Sequence, residues 1–205
     1  MKIKNIMFDF GGILFEVTKD EAVRRFQEIG FKDVSQYLGV THHAALFADV
    51  ENGKMTAEAF CEELSKHCGH QVSFDEAQYC WMGFRGEMIQ EKFDYIDKLR
   101  EKYRLCIVSN INPFVMKWAY SDKFTPSGRS IRDYFDDVYC SYDLGYCKPD
   151  PGFFEQVLSL SGVNPAESLY IDDGEKNIKM GASFGFKTLL VANGSDWRSA
   201  MDQKL

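Results

Sequence analysis

The feature that most constrains the fold is a series of short, nearly uninterrupted apolar runs that each end in polar residues. Runs of this length without apolar–polar alternation are typical of strands that are buried on both faces of a parallel sheet. Such strands are predicted at 3–8, 105–108, 137–141, 168–171 and 188–191. Helical patterns alternate with them at 88–102, 113–123, 151–161 and 176–184. This alternation predicts an α/β fold with a doubly wound parallel sheet.

The segment 17–85 has a different pattern, without a strong apolar strand run. Helix-like spacing is present at 19–29, 41–51, 56–68 and 74–83. We therefore predict a small all-α domain, residues 17–85, inserted after the first strand of a core domain made of residues 1–16 and 86–205. The stretch 121–132 is predicted to be a long loop near the functional site.

The composition limits the classes of partner. A net charge of −7 argues against broad contact with nucleic acid or an anionic membrane, because both attract positively charged surfaces. The chain has no apolar stretch of the roughly 20 residues that a membrane span needs, and its first residues lack a signal-peptide pattern. Six cysteines without framework spacing indicate reduced thiols. We expect a cytoplasmic protein whose partner is a small molecule, and the sequence leaves the oligomeric state open.

Polar residues follow the predicted strands at the edge where parallel sheets bind ligands. Asp9 follows the first strand and Ser109 ends the second. Lys148 follows the next strand along the chain, and Asp172 and Asp173 come directly after the fourth. Each residue alone has an ordinary explanation as a turn former, a helix cap or a solvated surface residue. Their order along the chain is more specific than any one of them.

The ordered set resembles the haloacid dehalogenase (HAD) superfamily over nearly the full length of the chain, including the position of the helical insertion. The motifs that carry the resemblance are residues 8–14 (FDFGGIL), 108–110 (VSN), 148–149 (KP) and 171–174 (IDDG). The resemblance implies a Rossmann-like core with a small helical cap. It also implies a Mg²⁺-dependent phosphatase for small phosphate esters, sugar phosphates first, similar to α-glucose-1-phosphate phosphatases.

The resemblance further implies a role for the catalytic and substrate-binding residues. Asp9 would attack the phosphoryl group and form an aspartyl-phosphate, which water then hydrolyses. Lys148 would neutralise the nucleophile and the phosphate, and Ser109 would donate a hydrogen bond to a phosphoryl oxygen. The backbone amide of Asn110 would add a further donor.

The metal ligands are likewise implied by the resemblance. Mg²⁺ prefers oxygen ligands and shares its site with substrate phosphate. The implied ligands are an oxygen of Asp9, the backbone carbonyl of Gly11 and Asp173. Asp172 is expected to act through a water molecule or a neighbouring group, although the order of the two carboxylates is open.

The motif departs from the family pattern at Gly11. Most phosphatases of the family carry an aspartate there, which protonates the leaving group and later activates water, and a glycine has no group for this. A leaving group of low pKa, as in anomeric or acyl phosphates, needs less help, and the similar α-glucose-1-phosphate phosphatases also carry glycine here. Glu16 is a candidate for assistance, with a hinge residue as its simpler explanation.

Two other functions stay open at this point. A 2-haloacid dehalogenase also lacks the second aspartate, but it needs no metal and has no use for the pair Asp172 and Asp173. A regulatory protein that binds a phosphate ligand at a relic site would keep the motifs without turnover.

Further candidates rest on weaker patterns. Residues proposed to face the substrate are Phe15, Phe47, Arg85 and Tyr120, with core packing or an exposed helix end as the alternative. Asn177 occupies a helix position where relatives carry a polar residue that supports the motif. The segment 67–70 (HCGH), with Cys61 nearby, matches no usual zinc spacing.

Overall fold

A computed structural model of the protein describes residues 2–40 and 43–205, and within these ranges the chain forms seven strands. They are β1 (Asn5–Phe8), β2 (Phe15–Val17), β3 (Arg85–Met88), β4 (Arg104–Ser109), β5 (Asp137–Cys140), β6 (Ser168–Asp172) and β7 (Lys187–Leu190). Five of them form a parallel sheet in the order β5-β4-β1-β6-β7. Strands β4 and β5 lie on one side of β1, and the chain then crosses β1 so that β6 and β7 lie on its other side. The predicted doubly wound sheet is confirmed.

The described chain also contains ten α-helices. They are α1 (Asp20–Glu28), α2 (Leu46–Glu51), α3 (Ala57–Cys68), α4 (Phe74–Trp81), α5 (Gln90–Arg100), α6 (Pro113–Ala119), α7 (Ser141–Leu144), α8 (Pro151–Ser161), α9 (Glu175–Ser183) and α10 (Arg198–Asp202). The first four belong to the segment that was predicted to be an all-α insertion. The helix predicted at 113–123 is shorter than expected and ends at Ala119.

Two apolar cores cover the two faces of the sheet. Side chains alternate along a strand, so Ile6 and Phe8 of β1 enter one core while Met7 enters the other. Helices α5, α6 and α10 pack on the first face, and α8 and α9 pack on the second. Near α10, Trp197 is buried and its indole Nε1 donates a hydrogen bond to the carbonyl of Ile13 at 2.8 Å. With both faces covered, the ends of the strands remain as the place for a ligand.

Helices α1 to α4 enclose a third apolar cluster, centred on buried aromatic residues such as Phe26, Phe47 and Trp81. Their ends are set by local signals: Thr56 caps the start of α3, and Ser73 forms a capping box with Glu76 at the start of α4. The helix predicted at 41–51 begins later than expected, at Leu46, and residues 43–45 before it are not helical. Thr41 and His42 lie outside the described residues.

A short antiparallel ribbon connects this helical segment to the sheet. Strand β2 pairs with β3, so that Phe15 lies opposite Met88 and Val17 opposite Arg85. The prediction of a helix from 88 was wrong at its start, since Met88 ends β3 and α5 begins at Gln90. Both crossings between the sheet and the helical segment therefore lie side by side.

The helical segment also packs directly on the core. Phe114 of α6 is fully buried in the third cluster, with its ring 5.3 Å from Phe60 and 4.6 Å from Phe74. At the end of α2, the carbonyl of Glu51 accepts a hydrogen bond from Ser141 Oγ at 2.5 Å. These contacts hold α2 and α4 over the carboxyl ends of the strands. No helix in the described part of the chain has the length and apolarity to span a membrane.

Candidate active site

A cavity of about 500 Å³ lies at the carboxyl ends of the central strands, beneath the helical segment. The residues implied by the HAD resemblance that line it are Asp9, Gly11, Ser109, Asn110, Lys148 and Asp173. Asp172 lies just below the cavity floor and is completely buried. The topology brings these residues together because the ends of β1, β4 and β6 are adjacent in the sheet.

Asp9 follows β1 and is held in one orientation. Its Oδ1 accepts a hydrogen bond from the backbone amide of Phe10 at 2.7 Å and lies 3.0 Å from Lys148 Nζ. Its Oδ2 accepts no hydrogen bond from the described residues. Burial raises the pKa of Asp9 to about 7, although the nearby ammonium group acts in the opposite direction.

Lys148 joins two carboxylates in the interior. Its Nζ lies 2.6 Å from Asp172 Oδ2 and 3.0 Å from Asp9 Oδ1, and its side chain is only 1% exposed. Burial opposes its charge, but the two carboxylates outweigh that effect and raise the pKa of the ammonium group. The Asn110 side chain fixes the Lys148 backbone from both sides, accepting from its N–H at 2.6 Å and donating to its carbonyl at 2.8 Å. This amide clamp had no signal in the sequence, where only the Asn110 backbone was considered.

The two adjacent aspartates have different surroundings. Asp172 accepts four hydrogen bonds: Lys148 and the Tyr170 hydroxyl donate to Oδ2, and the Gly174 amide at 2.7 Å and Asn177 Nδ2 at 3.0 Å donate to Oδ1. Asn177 thus contacts a carboxylate of the motif directly. Burial opposes ionisation of Asp172, but Lys148 and these donors hold its pKa below the usual range. Its oxygens are already occupied.

Asp173 has no such partners. No other described residue donates a hydrogen bond to its carboxylate, which lies on the cavity wall. Its neighbour Gly12 has a φ of +77°, and a Cβ there would overlap Asp173 Oδ2. Glycine is therefore required at position 12 both for the backbone conformation and for the place of this carboxylate. Burial and the charge of Asp172 raise the pKa of Asp173.

The acidic residues form a group suited to a hard cation. One carboxylate oxygen from each of Asp9, Asp172 and Asp173 lies within 4.8 Å of the others, although both oxygens of Asp172 already accept hydrogen bonds. Lys148 supplies a single positive charge against three carboxylates. Burial, and after it the neighbouring carboxylate charge, raises the pKa of Asp9 and of Asp173, and a divalent cation with oxygen ligands would stabilise their ionised forms. The residues present therefore fit a magnesium ion, with Asp9, Asp173 and the Gly11 carbonyl available to hold it.

The space beside Gly11, into which a side chain would extend, is occupied by a neighbouring residue. A Cβ at this position would lie 2.8 Å from Cγ2 of Val17, which also lines the cavity. A side chain at position 11 would therefore require the Val17 side chain to move. Ser109, at the end of β4, is buried and faces the same cavity. Glu16 is exposed in β2 and is not part of the cavity wall.

The upper wall of the cavity comes from the helical segment. Of the four residues proposed to face a substrate, only Phe15 lines the cavity; Phe47 is in the third cluster, and Arg85 and Tyr120 lie outside the wall. The sequence did not indicate His43 and Glu51, which line it beside Trp81 and Phe84. The segment 67–70 forms no metal group among the described residues, and His67 instead stacks on Phe31 with ring centres 4.2 Å apart.

Comparison with known proteins decides the family. The sequence model of the haloacid dehalogenase-like hydrolase family matches residues 3–185 of the chain. The chain belongs to this family. The D-ribitol-5-phosphate phosphatase of Bacteroides thetaiotaomicron is 41% identical to it over 199 residues, which cover 97% of each chain. The predicted family and its hydrolase class are confirmed, and the prediction of a phosphatase agrees with this relative.

Solved structures of the HAD family are similar throughout. A HAD-like hydrolase from Porphyromonas gingivalis superposes with a TM-score of 0.93 at 39% identity, covering 100% of this chain and 98% of its own. A HAD family enzyme from B. thetaiotaomicron, in complex with magnesium and inorganic phosphate, superposes with a TM-score of 0.87 at 30% identity, covering 97% and 98%.

Proposed function

We propose that this HAD protein is a magnesium-dependent phosphatase that hydrolyses small sugar or polyol phosphates, with Asp9 as the nucleophile. The observation that carries the proposal is the orientation of the Asp9 carboxylate and its hydrogen-bond partners. One of its oxygens is fixed by Phe10 and Lys148, and the other accepts no hydrogen bond from the described residues while the residue faces a cavity. A carboxylate held in this way is oriented for attack on a bound phosphorus atom.

In the proposed first step, an oxygen of Asp9 forms a bond to phosphorus while the bond from phosphorus to the ester oxygen breaks. The departing ester oxygen takes a proton from a water molecule and leaves as the alcohol, because Gly11 offers no acid. Lys148 lowers the repulsion between the carboxylate and the phosphate because its ammonium group lies 3.0 Å from Asp9. Ser109 donates a hydrogen bond to a phosphoryl oxygen, and the Asn110 side chain keeps Lys148 in place. In the second step, water attacks the aspartyl-phosphate and releases inorganic phosphate.

Mg²⁺ completes the proposed site. It would be held by Asp9, the Gly11 carbonyl and Asp173, where it supplies the positive charge that the three carboxylates lack. Asp172 is assigned a positioning role, because all its acceptor sites are used by Lys148 and three other donors.

The substrate class follows from the relative and the cavity. The B. thetaiotaomicron relative acts on D-ribitol 5-phosphate, and a cavity of about 500 Å³ is in the usual range for a small metabolite. We propose that residues 17–85 act as a cap domain that closes the cavity and excludes water. We also propose a cytoplasmic location without nucleic-acid or membrane partners, which the six unpaired cysteines and the acidic charge support.

The test is release of inorganic phosphate from D-ribitol 5-phosphate, glucose 1-phosphate, an acyl phosphate and a nucleotide, with Mg²⁺ and with EDTA. We expect turnover that requires Mg²⁺ and that Asp9→Asn abolishes. Asp75→Asn, which removes a carboxylate that is 85% exposed on the insertion, is the control and should retain activity. Magnesium binding without turnover on any ester would instead support a regulatory protein with a relic site.

A further inference from the structure

The cavity has two chemically different ends. The lower end holds Asp9, Lys148 and Asp173, which the proposed function assigns to phosphate and metal. The upper end is lined mainly by apolar side chains of the helical segment and of β2, among them Phe15, Trp81 and Phe84. Within this apolar wall lie two polar side chains of the insertion, His43 and Glu51. The part of a substrate beyond its phosphate would meet this wall.

Glu51 is a glutamate in an unusual position for an ionisable residue. It ends α2, and its side chain is only 16% exposed although it borders the cavity. No lysine or arginine in the described part of the chain forms an ion pair with it. Unpaired carboxylates are rarely this buried, because losing their hydration is costly. With no Lys or Arg partner in the described part of the chain, and with His43 Nε2 at 3.7 Å, this carboxyl lies on the cavity wall where a ligand can reach it.

The neighbouring residues fix the position of Glu51 without providing a Lys or Arg side chain as a charged partner. Its backbone carbonyl accepts from Ser141 Oγ, and its carboxyl accepts a hydrogen bond from the Asn112 side chain. Asn112 is itself buried and fixed, because its Oδ1 caps α6 by accepting from the Val115 amide at 3.1 Å. His43 Nε2 lies 3.7 Å from Glu51 Oε1, too far for a direct hydrogen bond. The carboxyl therefore keeps hydrogen-bonding capacity that the protein does not use.

The protonation state adds to this geometry. Burial raises the pKa of Glu51 to about 8, with the Asn112 hydrogen bond acting in the opposite direction. At neutral pH the group is mostly a neutral carboxyl, which both donates and accepts hydrogen bonds. A substrate hydroxyl also donates and accepts, so it can pair with this group in either direction.

We propose that Glu51 is the specificity-determining residue of this enzyme, and that it hydrogen-bonds hydroxyl groups on the organic part of a polyol or sugar monophosphate. The inference rests on the proposed function and adds a substrate-reading group to it. Asn112 positions the carboxyl, and the aromatic wall contacts the carbon chain. Phosphate esters of similar size without hydroxyl groups lack a partner for Glu51 and are therefore poor substrates.

The experiment compares D-ribitol 5-phosphate with n-butyl phosphate, which has the same kind of primary alkoxide leaving group but no hydroxyls. We expect Glu51→Leu to lower kcat/KM for the ribitol ester by about 10- to 100-fold, mainly through KM. The fold-loss in kcat/KM for the butyl ester should be smaller than the fold-loss for the ribitol ester by a factor of at least about ten. Glu51→Gln keeps a neutral donor and acceptor and should stay within about threefold of wild type on the ribitol ester. Glu62→Leu, which removes an exposed carboxylate of the insertion outside the cavity, is the matched control.

Three outcomes overturn the inference. Equal losses on both esters in Glu51→Leu would assign Glu51 to folding or to protonation of the leaving group. Unchanged kcat/KM for the ribitol ester would remove it from recognition, as would an equal loss in Glu62→Leu. Failure of the proposed function is distinct, because wild type would then release no phosphate from either ester.

Discussion

The replacement Lys148→Met tests whether the buried ion pairs organise the site. The side chain of Lys148 is 1% exposed, and its Nζ lies 2.6 Å from Asp172 and 3.0 Å from Asp9. Methionine fills a similar volume without the charge, which leaves two buried carboxylates unpaired. Breaking a buried ion pair in this way costs about 3–5 kcal/mol in the free energy of unfolding. For a chain of 205 residues, this corresponds to a decrease in Tm on the order of 10 °C.

The effect of Lys148→Met should depend on pH. Without the ammonium group, the folded-state pKa of Asp172 rises above that of the unfolded chain, and that of Asp9, already raised to about 7, rises further. The folded variant then binds more protons than the unfolded chain, so its stability falls as pH rises. We expect the full loss near about pH 8 and a clearly smaller loss near about pH 5, where protonation relieves the repulsion. Added Mg²⁺ should restore part of the stability near pH 8, since a ligand of the folded state stabilises it.

The assay is urea unfolding followed by circular dichroism, with EDTA and with Mg²⁺ at both pH values. Lys179→Met is the matched control, because Lys179 forms an exposed pair with Glu175 at 3.5 Å in which both side chains are more than 70% exposed. Such a pair contributes less than about 1 kcal/mol. If Lys148→Met costs no more than Lys179→Met in EDTA near pH 8, the ion pairs do not determine the stability of the site.

Two further predictions concern a glutamate and a glycine of the site. Because burial raises the pKa of Glu51 from 4.5 to about 8, the folded protein retains a proton that the unfolded chain releases. The free energy of unfolding should therefore fall as pH rises through this window, and thermal melts should show Glu51→Gln above wild type near about pH 9 but not near about pH 4. Gly12→Ala should weaken Mg²⁺ binding at least about tenfold in calorimetric titrations, because its Cβ would displace Asp173. Gly128→Ala has the same backbone strain, at a φ of +75° with open space around it, and equal weakening there would refute the steric explanation.

The sequence predicted those parts of the fold that depend on burial alone. Strands such as β1 and β6 have continuous apolar runs because both faces of the sheet are covered, and the helices between them have clear apolar periodicity. The ribbon of β2 and β3 gave no such signal. Its strands have three and four residues, β3 has the polar sequence Arg-Gly-Glu-Met, and the two pair across most of the insertion. Pairing at this distance depends on the folded insertion and not on a local pattern.

The candidate site was predictable only where residues form an ordered motif. Asp9, Ser109, Lys148 and Asp173 come together at one edge because each follows a strand of the same parallel sheet. Glu51 could not be found in this way, since a glutamate at a helix end is ordinarily solvated and nothing in its neighbours indicates a cavity. Side-chain hydrogen bonds such as the Asn110 clamp depend on tertiary geometry that the sequence alone does not specify.

The ribbon of β2 and β3 has a consequence for how the chain is divided. Val17 and Arg85 are neighbours in space, so the two ends of the intervening segment stand one strand spacing apart, as they would in a simple hairpin. For the sheet, the whole insertion is topologically equivalent to a short turn. We expect that a shortened chain, with 18–84 replaced by a tight turn, keeps every pairing of the five-stranded sheet. Among the described residues, Phe114 is the one fully buried core residue of the third cluster that such a chain would expose. It is therefore the residue to replace first in building an independent core.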